Sequence, residues 1–179
     1  MPLDRAERRH IKRRPATEAE ARALASAIRL RIIRLCLDRP MTNKELAARL
    51  DANPATTLHH VRKLVATGFL EPQEERRGTR GAREVPYLST GKSWTLDVHD
   101  SGVSGGGAAM MQAFLDEVRL LEPDQAPFAR LGLRMSKDEL EELQDRLSEL
   151  LDEFAARPLT PEGQPYSLFV ALYPDRSRE

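Results

Sequence analysis

Four arginines, Arg76, Arg77, Arg80 and Arg83, lie within eight residues of one another around Gly78 and Gly81. Earlier in the chain, His59, His60 and Lys63 share a stretch, residues 55–63, that contains no acidic residue. Side chains of these types donate hydrogen bonds and carry positive charge. Grouped in this way, they suit holding phosphate oxygens or base acceptors.

The residues that bond-making chemistry needs do not come together. His-Glu-x-x-His and phosphate-loop motifs are missing from the sequence. The single cysteine, Cys36, sits in an apolar run and reads as a core thiol. Glu141 and Glu142 fall on the outer face of a leucine-striped helix and read as solvated charges. Gly105, Gly106 and Gly107 precede a helix, but no strand of a dinucleotide fold precedes them, so they read as linker. A metal set fails as well. His59 and His60 are adjacent and point ~100° apart on a helix, which rules out an i, i+4 ligand pair. Asp97 and His99 have an Asp-x-His spacing, but no later histidine completes a set, and His10 stands alone. We therefore expect no catalytic residues, no metal and no cofactor.

The elements that must position the basic residues follow from local signals. Thr17 and Glu20 have capping-box spacing, and apolar residues from Ala21 to Leu37 continue the pattern as one helix. That helix is apolar on two faces, so it needs cover on two sides: one is its own core, and a second copy of the chain is a candidate for the other. Arg39-Pro40 ends it. Thr42 and Glu45 repeat the capping box and start a short helix striped with Leu46, Ala47 and Leu50. After the turn Asp51-Ala52-Asn53, Asn53 is an N-cap and Pro54 occupies the first helical position. In the helix that follows, Thr57, Leu58, Val61, Leu64 and Val65 form the core arc. Ala55, Thr56, His59, His60 and Lys63 form the opposite one. Gly68 suits the left-handed position after the helix, with Phe69 packing back on Leu64. Residues 69–88 then read as strand, Gly-rich turn and strand, with the arginines at the tip and Pro72 and Pro86 marking edge positions. Trp94 is expected to anchor the hairpin end to the core.

Residues 101–107, Ser-Gly-Val-Ser-Gly-Gly-Gly, read as a flexible linker. Beyond it, Met110, Met111, Phe114, Leu115, Val118 and Leu121 stripe one helix. Leu140, Leu143, Leu147, Leu150 and Phe154 stripe another, capped by Ser136 with Glu139. Residues 130–134 and 166–173 read as short strands. The stripes and strands serve dimerisation, or enclose a small ligand lined by Met110, Met111, Phe114 and Phe154.

Charge divides along the same line. The chain of 179 residues is formally neutral, but residues 1–94 carry 20 Lys+Arg against 11 Asp+Glu, and residues 95–179 carry 8 against 17. One half is +9 and the other −9, by subtraction of those counts. The basic half suits a polyanion and the acidic half would be repelled by one. The N-terminal fourteen residues, with Arg5, Arg8, Arg9, Lys12, Arg13 and Arg14, form a basic arm that is either a solvated terminus or a phosphate contact. Its apolar content is too low for a secretory signal, and no run approaches the ~18 apolar residues of a membrane span. With one cysteine, a reducing cytoplasm is expected and no membrane.

Four stretches together, LASAIRLRIIRLCL, TNKELAARL, NPATTLHHVRKLVATGFL and RRGTRGAREVPYLSTGKSW, resemble the winged helix-turn-helix domain of ArsR-type (arsenic-repressor-like) bacterial regulators, over residues 18–94. The resemblance implies an α+β, mainly helical chain. Its parts would be a basic arm (1–16), a winged helix-turn-helix domain (17–96), a Gly/Ser linker (97–107) and a C-terminal helix/strand-helix-strand dimerisation or regulatory region (108–179). It implies a non-enzymatic transcriptional repressor that binds an operator in double-stranded DNA as a homodimer, with an unidentified small-molecule effector as a further partner. The helix over 54–67 would enter the major groove, and the wing over 76–83 would touch backbone or minor groove. The DNA-binding set is then Asn53, Ala55, Thr56, Thr57, His59, His60, Lys63, Arg76, Arg77, Arg80 and Arg83. The family's Cys-x-Cys metal motif is missing, since the helix before the reader is NKELAARL. The competing reading is a winged-helix adaptor that binds protein and not DNA.

Overall fold

The computed structural model describes residues 13–78, 83–98, 101–122, 125, 128–160 and 162–178. In chain order the elements are β1 (Arg14–Pro15), α1 (Glu18–Leu24), α2 (Ala27–Leu35), β2 (Met41–Thr42), α3 (Asn43–Arg49), α4 (Pro54–Ala66) and β3 (Leu70–Pro72). There follow β4 (Arg76–Arg77), β5 (Arg83–Glu84), β6 (Pro86–Ser89), β7 (Leu96–Asp97), α5 (Gly106–Val118) and α6 (Lys137–Ala155). The result is a mixed α+β fold, mainly helical, whose first part is a winged helix-turn-helix. Among the described residues no helix is long and apolar enough to cross a membrane.

Helix starts obey their caps. Thr17 with Glu20, Thr42 with Glu45 and Ser136 with Glu139 each close a full capping box at the heads of α1, α3 and α6. The expected single helix over 17–37 is instead two. α1 ends with Ala25 at its C-cap, and α2 restarts after Ser26. No proline or glycine makes the break. The Arg29 guanidinium fills it: its Nε donates to the Ala23 carbonyl at 2.6 Å and Nη2 to the Arg22 carbonyl at 2.7 Å. Two carbonyls that a continuous helix would have used internally are thus satisfied by a side chain.

Two compact units are present. One spans Arg13–Glu122, and the other includes residues 123–179. In the first, Ile32, Leu46, Val61, Leu64, Phe69 and Leu70 are fully buried around Cys36 and Met41. Each such large apolar side chain contributes about 1.5–3 kcal/mol by leaving water. β6 lies centrally in an antiparallel sheet ordered β2-β6-β3, and β4 pairs with β5 beyond it as the wing. Pro86 is therefore not at a sheet edge: it opens the central strand opposite Thr42. A strand's first residue tolerates the missing N–H.

α5 belongs to this first unit, on the far side of the Gly/Ser stretch from the winged helix. Its buried residue is Ala113, and Asp116 and Glu117 pair with Arg31 and Arg34 of α2 at 3.8 and 3.0 Å. Met110, Met111 and Leu115, expected to face inward, are 50%, 43% and 40% exposed. The second unit holds α6 and irregular chain. The strands expected at 130–134 and 166–173 do not form. Leu131, Leu168 and Val170 are exposed there. A strand needs a hydrogen-bonded neighbour, and no described segment supplies one.

Candidate nucleic-acid interface

The turn between α3 and α4 fixes how α4 is presented. Asp51 takes a left-handed conformation (φ 48°), unusual for a residue with a Cβ. The Ala52 N–H donates to the Ala47 carbonyl at 3.0 Å, which closes the turn. Asn53 then caps α4, its Oδ1 accepting from the Ala55 N–H at 2.8 Å, with Pro54 next. Asn43, at the head of α3, donates from Nδ2 to the Pro54 carbonyl at 2.9 Å and so ties the two helix starts together. At the other end the Gly68 N–H reaches the Val65 carbonyl and the Phe69 N–H the Leu64 carbonyl, at 3.0 and 2.9 Å. This is a Schellman closure, with Gly68 at φ 72°.

Between these fixed ends α4 shows one face to solvent. Ala55, Thr56, His59 and Lys63 are exposed, as the angular division expects. Arg62 is exposed with them and was not in the expected set. It follows Ala55 by seven residues, close to two turns, so the same arithmetic would have found it. Thr57, included among the DNA-facing residues, has to be withdrawn: it is fully buried, and its hydroxyl donates to the Asn53 carbonyl at 3.0 Å. His60 sits at the border of the core arc and is only half-exposed, with Nδ1 buried and without a hydrogen-bond partner. Burial, with Arg29 and His59 adding to it, lowers its pKa below the ordinary histidine value. The exposed face therefore carries Arg62, Lys63 and His59 with no acid among them.

On the wing the register sets Arg77 opposite Arg83 and Arg76 opposite Glu84. Like charges facing each other across two strands repel, a cost that a polyanion would relieve. A Cβ at Gly78 would come within 2.4 Å of the Glu84 carboxyl, so a larger residue there would have to displace that side chain. Arg76 is turned back into the domain: its Nη2 lies 2.8 Å from both Glu45 carboxylate oxygens. Hydrogen bonds from Thr42, helped by Arg76, hold Glu45 below the usual carboxylate range. Arg83 is mostly exposed and lies 3.4 Å from Glu75. Arg80 falls outside the described residues. Trp94 is 38% exposed and serves less as a core anchor than as a platform, with the Arg13 guanidinium 4.7 Å from its ring centre.

Among the described residues no group of three or more His, Cys, Asp or Glu side chains could hold a metal ion. His99 is outside them. Cys36 is fully buried, and burial pushes its thiol up to about 11, away from thiolate chemistry.

Residues 24–73 match a family model described as a helix-turn-helix domain. A search of curated proteins gives no match. Among solved structures the chain is similar to reduced HlyU from Vibrio cholerae, at 21% identity and TM-score 0.35, over 54% of this chain and 84% of that one. An apo mutant of ZitR from Lactococcus lactis is similar at 21% identity and TM-score 0.33, over 73% and 83%. A mutant of MepR from a multidrug-resistant S. aureus isolate follows at 15% identity and TM-score 0.26, over 76% and 78%.

Proposed function

We propose that this protein is a sequence-specific DNA-binding transcriptional regulator of ArsR-like type, a cytoplasmic repressor that works as a homodimer on a pseudo-palindromic operator. The observation that carries the reading is the solvent face of α4. It is capped at both ends, rigidly packed on its other side, and offers Ala55, Thr56, His59, Arg62 and Lys63 with no acid among them. Small residues at the helix start let the backbone approach a groove. Thr56 can reach a phosphate or base edge, Ala55 a thymine methyl, and the cations further along phosphates or base acceptors. The opposed Arg77 and Arg83 add a second cationic contact from the wing. A two-fold arrangement is favoured by the exposed Met110, Met111 and Leu115 on α5, an apolar surface larger than single scattered residues account for.

The test is fluorescence anisotropy with a duplex taken from upstream of the protein's own operon. We expect binding whose affinity falls steeply with salt, by about 0.9 log unit per log unit of salt for each phosphate contact. Replacing Lys63, Arg77 and Arg80 together by Glu should weaken it more than about tenfold. Unchanged affinity in that variant would remove the assigned surface. A wild-type chain that binds no duplex but captures a protein would favour the adaptor reading instead.

A further inference from the structure

The C-terminal end of α4 is held by a device that the DNA-facing residues do not include. The Lys92 ammonium sits 2.7 Å from the Thr67 carbonyl, the C-cap of α4, and 2.6 Å from Glu20 Oε1. It also lies 5.3 Å from the centre of the Phe69 ring. Gly68 leaves the ammonium room: a Cβ there would stand 3.2 Å from Lys92 Nζ, a tight contact. The Thr90 hydroxyl donates to the Gly68 carbonyl at 2.8 Å, so residues 90–92 wrap the helix end. Glu20, in turn, is the capping-box glutamate of α1, with its side chain only 7% exposed. It accepts from the Thr17 N–H at 2.8 Å and from Arg14 Nη1 and Nη2 at 2.9 and 2.6 Å. One buried carboxylate thus joins three things: the head of α1, the strand that leads out of the basic arm, and, through Lys92, the tail of α4.

We propose that Lys92 and Glu20 are positioning residues for DNA recognition, a clamp that fixes the far end of α4 relative to α1 and to the N-terminal segment. The proposal rests on α4 being the helix that enters the groove. A cation at a helix C-terminus is favoured by the exposed carbonyls there, and a carboxylate beneath it removes its freedom to swing out. The ammonium is consumed internally. It adds no phosphate contact of its own and acts on DNA only through where it holds α4. Arg14 shares the carboxylate, so the clamp also ties β1 to the head of α1.

Two measurements on the full chain test this. The first is hydrogen exchange without DNA, comparing wild type with Lys92→Met, which keeps the apolar stem over Phe69 and removes the charge. The amides of Thr67, Gly68 and Phe69 should exchange about tenfold faster, with those of Ala52 and Thr57 at the other end of α4 unchanged. Lys92→Arg should restore protection, and Glu20→Gln should reproduce the loss. No change, or an equal change along all of α4, overturns the clamp. The second is anisotropy with the upstream duplex and with a mixed-sequence duplex. Lys92→Met should lower affinity for the upstream duplex about five- to tenfold more than for the mixed one, with an unchanged salt slope. A slope reduced by about one would mean that Lys92 touches a phosphate, and would overturn the positioning role. A wild-type chain that binds neither duplex would sink the DNA reading itself, and the exchange result would still decide whether the clamp exists.

Discussion

α4 and α6 are both well-started helices, and they end in opposite conditions. α4 has Asn53 and Pro54 at its head and a Schellman closure at its tail, and it buries Thr57, Val61 and Leu64. α6 is longer and has a full capping box, yet none of its apolar side chains is fully buried. Leu150 and Phe154 are 50% and 56% exposed. Caps are local and are satisfied by residues three or four positions away. Burial is not local, and it needs a partner surface. In the unit spanning Arg13–Glu122 the chain supplies that surface to α4. In the second unit the stripe of α6 is covered only in part: Leu140, Leu143 and Leu147 are half-buried and Leu150 and Phe154 are exposed.

The largest effect expected from this contrast is in core truncation. Phe69→Ala removes a fully buried ring from the base of α4 and should cost about 3–5 kcal/mol in denaturant titrations at any protein concentration. Leu150→Ala at low concentration should stay within about 0.5 kcal/mol. If a second copy covers the stripe, that small cost should grow as protein concentration rises. A large, concentration-independent loss in Leu150→Ala would break the comparison.

A smaller effect separates the caps. Asn53→Ala removes the acceptor of the Ala55 N–H and should lower the global stability of the first unit by about 1 kcal/mol. Ser136→Ala removes an equivalent cap from α6. Because α6 anchors no core, the loss should appear as reduced helical circular dichroism and faster exchange near Lys137, without moving the main unfolding midpoint. Equal shifts of that midpoint in both variants would show that α6 is part of the same cooperative unit.

What could be read from the sequence follows the same division. The caps at Thr17, Thr42, Asn53 and Ser136 and the left-handed Gly68 were all legible, because each rests on residue type and a spacing of a few positions. The hairpin was legible in outline, but Arg76, Arg77 and Arg83, expected in its turn, lie in β4 and β5, and residues 79–82 fall outside the described residues. The break before Ser26 was not, because Arg29 makes it by reaching back to carbonyls that only the folded chain brings near. Thr57 was counted on two faces, and the structure decides for the core. Arg62 was overlooked although helical arithmetic contains it. The missing strands at 130–134 and 166–173 show the limit of apolar pattern: it marks a segment that wants pairing and says nothing about whether this chain provides it. Arg76 is a related case. Its type and position suit DNA, and Glu45, distant in sequence, has taken it.

The smallest expected effect concerns pH, and it too should fall on one region alone. The chain's histidines are His10, His59, His60 and His99, so residues 123–179 contain none. Burial lowers the pKa of His60 in the fold below the value of about 6.5 that it takes when unfolded. Between those two values the unfolded chain binds more protons than the native one. Stability therefore rises with pH through that window; it is fully present above about 6.5 and is lost as pH falls through the native pKa. The shifted carboxylates Glu20, Glu45 and Glu139 are all lowered, so their contributions are present above the ordinary carboxylate range and are lost only on acidification below it. Denaturation midpoints measured at steps from about pH 7.5 to 5.5 should fall in the wild type, and His60→Gln should flatten most of that slope. α6 helicity should not respond over the same range. A slope that survives in His60→Gln would mean that the half-buried imidazole accepts its proton without cost, and that the buried Nδ1 is open to water when the ring is charged.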